Sequence, residues 1–319
     1  MAMLEKSGAA PAGVVGHAEA VPFLASVVAL GSGVVWSFGA IAARLADQSD
    51  AFQYLIWRSL AIIVVIEAIA RLCGRPFVTP KAFRSGGMML LACGCLLLAS
   101  IAFVYAVKTT TPANAAFLAS VTPLMAVLLA KLTLGEPLTR TTIGAVAVAF
   151  VGLCVTVMSD LEAGSLAGNI AALMSSVGFA GYAICLRTDP RRDWSPVMPG
   201  YAVMMIAICG AVTVIKGETF APPAKDIAYA TVHGGVFIVV GTFLFNVASR
   251  QITAVAMAVF AQTEMLFVPI WALLVLSERP PAMSLVGGSI IATAIVGKAV
   301  LDARARQVGV AQAIPAEVR

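Results

Sequence analysis

Charge is what this chain has least of. Asp, Glu, Lys and Arg make up 12% of its 319 residues, about half the share of a soluble domain. With 60% hydrophobic residues and a mean hydropathy of +0.95, a water-soluble fold would run out of polar side chains before its surface was covered. Histidine is nearly missing: there are two, one of them in the N-terminal tail. No HExxH, GxSxG or Walker A motif occurs, so metalloprotease, serine-hydrolase and ATP-driven readings lack their residues. The six cysteines lie in or beside apolar runs and form no CxxC pairs. They read as small packing residues rather than disulfides or metal ligands, and no cofactor is implied. The net charge of +5 is spread over short loops without an aromatic–basic patch, which argues against nucleic acid. The first twenty residues do not make a cleaved signal peptide.

What the chain does have is long apolar runs, each near the ~20 residues that cross a bilayer as a helix. The ~10-residue alternation of a membrane barrel is absent. The runs predict helices near 22–46, 50–72, 85–107, 112–133, 139–158, 166–187, 196–216, 227–249, 254–277 and 282–302. Charged or turn-forming clusters separate them. If both termini face the cytoplasm, Arg44, Lys108, Lys216, Lys225 and Arg279 lie on the far side and Arg58 falls inside a span. The other fifteen of the 21 Lys and Arg are then cytoplasmic, as the positive-inside rule expects.

The two halves share an outline. Ala116-Phe-Leu-Ala-Ser-Val-Thr-Pro-Leu leads to Leu134-Gly-Glu-Pro. Ala258-Val-Phe-Ala-Gln-Thr-Glu-Met-Leu leads to Leu276-Ser-Glu-Arg-Pro-Pro. In each case a Glu, Glu136 or Glu278, closes an apolar run, proline follows, and a glycine-bearing run comes next. Five spans per half is an odd number, so the second half must enter the membrane upside down. The expected fold is an all-α integral membrane protein of ten transmembrane helices in two inverted five-helix repeats. Its divisions are a cytoplasmic tail over 1–20, repeats over 21–160 and 161–302, and a cytoplasmic tail over 303–319.

The chain carries Val35-Trp36-Ser37-Phe38, Trp57-Arg58-Ser59, Thr122-Pro123 with Leu134-Gly135-Glu136, Gly168-Asn169, and Thr263-Glu264 with Leu276-Ser277-Glu278. In these motifs it resembles the ten-helix, EamA-like branch of the drug/metabolite transporter superfamily. Where the family's second copy commonly carries Glu-Pro, this chain has Glu264-Met265; its Leu-Gly-Glu is here Leu-Ser-Glu. The resemblance implies transport of a small organic solute, usually a metabolite and often outward, across the bacterial inner membrane.

Glu264 lies about ten residues into its span, where an ionised carboxylate is costly unless it faces protein or water. It is the leading candidate for proton coupling or for a substrate amine. Arg58 is the other intramembrane charge, expected either to reach the membrane surface or to pair with Glu264. Trp36 and Tyr182 are placed to meet the apolar part of a substrate, and Asn114, Gln262 and Glu264 its polar groups. Pro123 and Pro269 are expected to interrupt the fourth and ninth helices, a gating device in the two copies. Glu67 is expected to pair with Arg71. Glu136 and Glu278 are expected to meet helix N-termini. Small residues on the fifth and tenth spans suit close packing or a dimer seam, so monomer and homodimer both stay open. The leading expectation is an alternating-access exporter of amino acids or related solutes. An uptake carrier for metabolites or organic cations is the alternative, with a membrane-embedded enzyme, channel or scaffold behind it.

Overall fold

The computed structural model describes residues 23–135, 140–161, 166–189, 191–249 and 263–313. The described residues are helical, without a strand. The elements are α1 (Phe23–Leu45), α2 (Ala51–Leu72), α3 (Thr79–Arg84), α4 (Gly87–Thr109), α5 (Pro112–Ala119), α6 (Thr122–Leu134) and α7 (Arg140–Leu161). They continue with α8 (Leu166–Thr188), α9 (Val197–Lys216), α10 (Ala224–Val232), a π-helical turn (His233–Ile238), α11 (Val239–Ser249), α12 (Thr263–Leu276) and α13 (Ala282–Ala313).

Among the described residues, seven helical segments are long and apolar enough to cross a membrane: Leu24–Leu45, Gly87–Thr109, Pro112–Thr133, Arg140–Met158, Leu166–Leu186, Val197–Lys216 and Ala224–Ala248. Thr263–Leu276 and Ala282–Gly297 are shorter apolar helices. α2, which carries Arg58, Glu67 and Arg71, is not among the seven. Large apolar side chains such as Phe150, Phe243 and Leu274 are exposed, as lipid contact requires and water contact would not favour.

Local chemistry sets the helix ends. Asp50 caps α2 by accepting the Gln53 N–H at 2.7 Å, and the Gln53 side chain returns the favour to the Asp50 N–H at 3.1 Å, a reciprocal capping box. Thr111 caps α5, with Pro112 filling a first-turn position where no N–H is needed. α6 ends on Gly135 at φ 69°, the left-handed turn that favours glycine. Ser277, after α12, adopts nearly the same turn at φ 57° without being glycine.

The fourth span is broken at Ser120–Val121, and Pro123 opens the helix that resumes at Thr122. The described part of the ninth, α12, runs through Pro269 without a break. A proline removes one backbone N–H, and here the loss leaves the helix continuous. Among the described residues of the second half, the helical pattern changes in the eighth span instead, at the π turn. The short α3 was not expected. Glu67 holds it rather than pairing with Arg71, its carboxylate accepting from the N–H groups of Val78 (3.0 Å) and Thr79 (2.6 Å) and from the Thr79 hydroxyl (2.5 Å). Arg71 stacks over Phe77, 4.9 Å from its ring centroid.

The main interfaces join the halves. α1 lies against α11 and α12, α8 against α4 and α6, α2 against α9, and α7 against α13. This pattern is unchanged when the halves are exchanged. α1-on-α11 becomes α8-on-α4, and α1-on-α12 becomes α8-on-α6. α2-on-α9 and α7-on-α13 map onto themselves. The small-residue faces of the fifth and tenth spans meet each other: a Cβ on Gly152 would lie 2.7 Å from the Gly287 carbonyl oxygen.

Candidate functional site

One end of the bundle gathers charges from both halves. Glu278 Oε1 accepts from Arg44 Nε at 2.8 Å. Asp50 pairs with Lys216, and Asp47 with Lys225 at 3.3 Å. The buried Asp226 carboxylate accepts the backbone N–H groups of Gln48 (3.0 Å) and Ser49 (2.6 Å), anchoring the α1–α2 loop to α10. Each of these contacts links the first half to the second. The hydrogen bond from Lys225 holds the Asp47 carboxyl below its ordinary value. Burial pushes Asp50 up, but hydrogen bonds from Lys216 and the Gln53 N–H outweigh it and leave that carboxyl lowered as well. Both groups stay ionised at neutral pH. Among these residues lies a cavity of about 370 Å³ lined by Arg44, Asp47, Asp50, Tyr105, Lys108 and Lys216. Glu278 therefore meets the end of α1 rather than the helix N-terminus expected for it. The partner is 234 positions away, and no local signal announces it.

The opposite end has a cavity of about 460 Å³ lined by Phe77, Lys81, Arg84, Ser85, Asp193 and Pro196. There Arg192 Nη2 donates to the Ser85 carbonyl at 2.6 Å. A hydrogen bond from the Ser195 hydroxyl lowers Asp193.

Between the ends, polar groups sit among apolar spans. Arg58 is 3% exposed and does not reach the surface. Its Nη2 donates to the Ser100 hydroxyl on α4. The expected pair with Glu264 is not formed among the described residues. α2 lies against α4, α9, α10 and the π turn, whereas Glu264 opens α12, which lies against α1 and α5. Glu264 is half-buried and has no hydrogen-bond or ion-pair partner among the described residues. Asn114, in the first turn of α5, is fully buried with both amide atoms unpartnered, and so is Asn169 in the first turn of α8. Asn169 carries the same signal as Asn114, an amide inside an apolar run, and was read only as a family mark. Gln262 lies outside the described residues, as do Glu136 and Pro137.

Trp36 packs on Phe245 with ring centroids 5.4 Å apart, and its indole fills the space that a Cβ on Gly241 would need. It locks α1 to α11. Tyr182 meets Phe179 edge-on at 5.8 Å on α8 and packs against the central core. A second aromatic group went unforeseen. Phe38 stacks on Trp271 at 4.7 Å, Phe267 adjoins Trp271 at 5.7 Å, and Phe237 adjoins Phe38 at 5.6 Å. Trp271 Nε1 donates to Ser37 Oγ at 2.9 Å. These half-buried rings join α1, the π turn and α12.

Comparison with known families fits this architecture. The family model described as the EamA-like transporter family matches residues 23–158 and again 166–298. The chain belongs to the EamA-like transporter family. It is thus a two-repeat membrane transporter of small solutes, and the two matched segments are the halves exchanged above. No curated protein matches the chain significantly. Fifteen chains of solved structures do. One of them, titled only as the crystal structure of a protein, is 18% identical and superposes with a TM-score of 0.62 over 88% of this chain and 99% of its own. It shares the EamA-like fold. Among the described residues no group of three or more His, Cys, Asp or Glu is placed to hold a metal.

Proposed function

We propose that this chain is a secondary carrier that exports small organic metabolites, amino acids or related solutes, across the bacterial cytoplasmic membrane by alternating access. In this reading it crosses ten times as two inverted repeats, with both termini cytoplasmic. The observation that carries it is the exchange-symmetric set of interfaces between the halves. A bundle joined along such interfaces can rock one half against the other and expose the middle to each side in turn. The unpartnered polar groups of the spans supply the second support. Asn114, Asn169 and Glu264 lie on helices at those interfaces, where a polar group without a partner costs free energy unless substrate or water serves it. Glu264 takes the coupling role, as a proton carrier or a ligand for a substrate amine. Phe38, Phe267 and Trp271 join Trp36 and Tyr182 as apolar contacts. Pro123 and the π turn provide the two points of bending. The outward direction follows the family resemblance.

The experiment is counterflow in proteoliposomes loaded with a pooled amino-acid and metabolite extract. Wild type should exchange at least one labelled solute, and Glu264→Gln should abolish or uncouple that exchange while the protein keeps its thermal stability. A chain that moves no solute, or that conducts without counterflow, would overturn the carrier reading.

A further inference from the structure

Arg58 is the eighth residue of α2, roughly 10 Å below the start of that helix. Its guanidinium keeps its charge in any protein environment. A buried cation is normally matched by a carboxylate, because removing it from water costs more than partial hydrogen bonding returns. Among the described residues, no carboxylate lies within ion-pair distance of Arg58. Nη2 donates to Ser100, and Nε donates to nothing. Tyr54, Tyr201, His233 and Cys209 lie within its electrostatic reach. The Ser100 hydroxyl is shared with Tyr201. The neighbouring Ser59 hydroxyl is also buried without a partner. The π turn presses close from the second half, with Gly234 against the Arg58 backbone carbonyl. This is a buried positive charge beside several hydroxyl groups, with no carboxylate in ion-pair contact among the described residues; the buried Asp226 carboxylate, on α10 against α2, acts on the same Tyr54 from farther off.

A cavity lies above it on the same helix. The cavity of about 370 Å³ at the ion-paired end is walled by Ala51 and Phe52, the first turn of α2. It reaches Lys108, whose ammonium lies 5.2 Å from the Tyr54 ring centroid. Lys108 donates to the carbonyls of Ala46 and Ser49 and has no carboxylate partner among the described residues. The Tyr54 hydroxyl meets His233 Nδ1 at 2.8 Å. Arg58 lies one helical turn beyond Tyr54. Tyr54 belongs to the first half and His233 to the second, so this contact parts when the halves move.

We propose that Arg58 binds a carboxylate of the transported solute, reached from the charged cavity when the Tyr54–His233 contact opens. The proposal rests on the carrier reading above and names its substrate class: monocarboxylates, including zwitterionic amino acids. One guanidinium complements one negative charge, and its planar fork matches a carboxylate. A doubly charged phosphate would leave a surplus of charge there.

The test uses the full chain purified in detergent with three probes of one carbon skeleton: butyrate, butyramide and butylamine. Butyrate at about ten times its half-saturating concentration should raise the unfolding temperature by roughly 3 °C, while the amide and the amine should not. Arg58→Gln should abolish that rise. Arg58→Lys, which keeps the charge but loses the fork, should bind butyrate several-fold more weakly. Equal effects of the three probes, or a rise that survives Arg58→Gln, would overturn the proposal. If neither variant folds, phenylglyoxal labelling of the unaltered protein decides: butyrate protection of Arg58 supports the site, and equal labelling with and without butyrate overturns it. Butyrate binding at Arg58 in a chain without counterflow would leave the site and remove the carrier reading. Counterflow without any butyrate effect would do the reverse.

Discussion

The Arg44–Glu278 pair should act as a latch at one end of the bundle, and its two halves should fail unequally. Each side chain is about a third exposed, 32% and 30%, so solvent screens the pair and its worth is about 0.5–1 kcal/mol. If it forms only in the state that the structure shows, its removal shifts the balance between end states by roughly two- to fivefold. Removing the acid is the milder change, because Arg44 still faces the carbonyls of Val107 and Lys108 at 3.5 Å. Removing the base strands Glu278, whose Oε2 is already buried without a partner, and an unpaired buried group costs about 1–3 kcal/mol. Arg44→Gln should therefore loosen this end more than Glu278→Gln. The assay is the rate at which a membrane-impermeant maleimide labels Ser49→Cys, in a background cleared of the six native cysteines, read across a double-mutant cycle. A coupling energy indistinguishable from zero would refute the latch. So would a charge-exchanged Arg44→Glu, Glu278→Arg chain that labels as fast as the single variants.

Asp50 separates capping from pairing: Asp50→Asn keeps a good helix cap and loses the Lys216 pair, whereas Asp50→Ala loses both, so the alanine variant should be less stable by about 1 kcal/mol in denaturant or thermal unfolding. Because the carboxyls of Asp47 and Asp50 are lowered in the folded protein, the stability they contribute is present above their unfolded values near pH 4 and is lost as pH falls through the lower folded values. The stability advantage of wild type over Asp50→Asn in thermal unfolding should stay constant from pH 5 to 8 and shrink only below about pH 4. Gly152→Leu should drive the fifth and tenth spans apart against the Gly287 carbonyl and lower the unfolding temperature, at a cost of at least 1–3 kcal/mol by roughly the scale of overpacked cores. Arg187, second to last in α8, holds the register of Arg44, second to last in α1, and Glu136 follows Leu134-Gly135 as Glu278 follows Leu276-Ser277. Neutralising Glu136 or Arg187 should slow counterflow, and exchanging their charges should restore part of it; no effect of either change would deny them a latch role.

Much of the fold could be read from hydropathy because lipid imposes one rule on every span. The second, fourth and seventh of the expected helices begin within a residue of where the apolar runs put them, at Ala51, Pro112 and Val197. Elements held by a few specific bonds were harder. α3 has six residues and depends on Glu67, eleven or twelve positions earlier in the chain. Its Thr79-Pro80 start was the one visible sign. The interruption of the eighth span could not be read from proline, because the π turn contains none, whereas Pro269 sits in an unbroken helix. For the site, the residue types were legible and the partners were not. Arg58, Glu264 and Asn114 stood out as polar residues in apolar runs, and the structure keeps Arg58 and Asn114 buried. Arg58 met Ser100 instead of Glu264, and Phe38 met Trp271 across more than two hundred residues, because such pairings come from helix neighbours that no local pattern encodes.

The π turn has a wider consequence. It sits in the eighth span, whose counterpart by exchange of halves is α4, an uninterrupted α-helix. A carrier with identical halves would have mirror-image end states of equal free energy, and it would rest as readily open to one compartment as to the other. Under the carrier reading, the extra-wide turn in one half and the break at Ser120–Val121 in the other remove that degeneracy, so a resting preference follows from where the twins depart from each other.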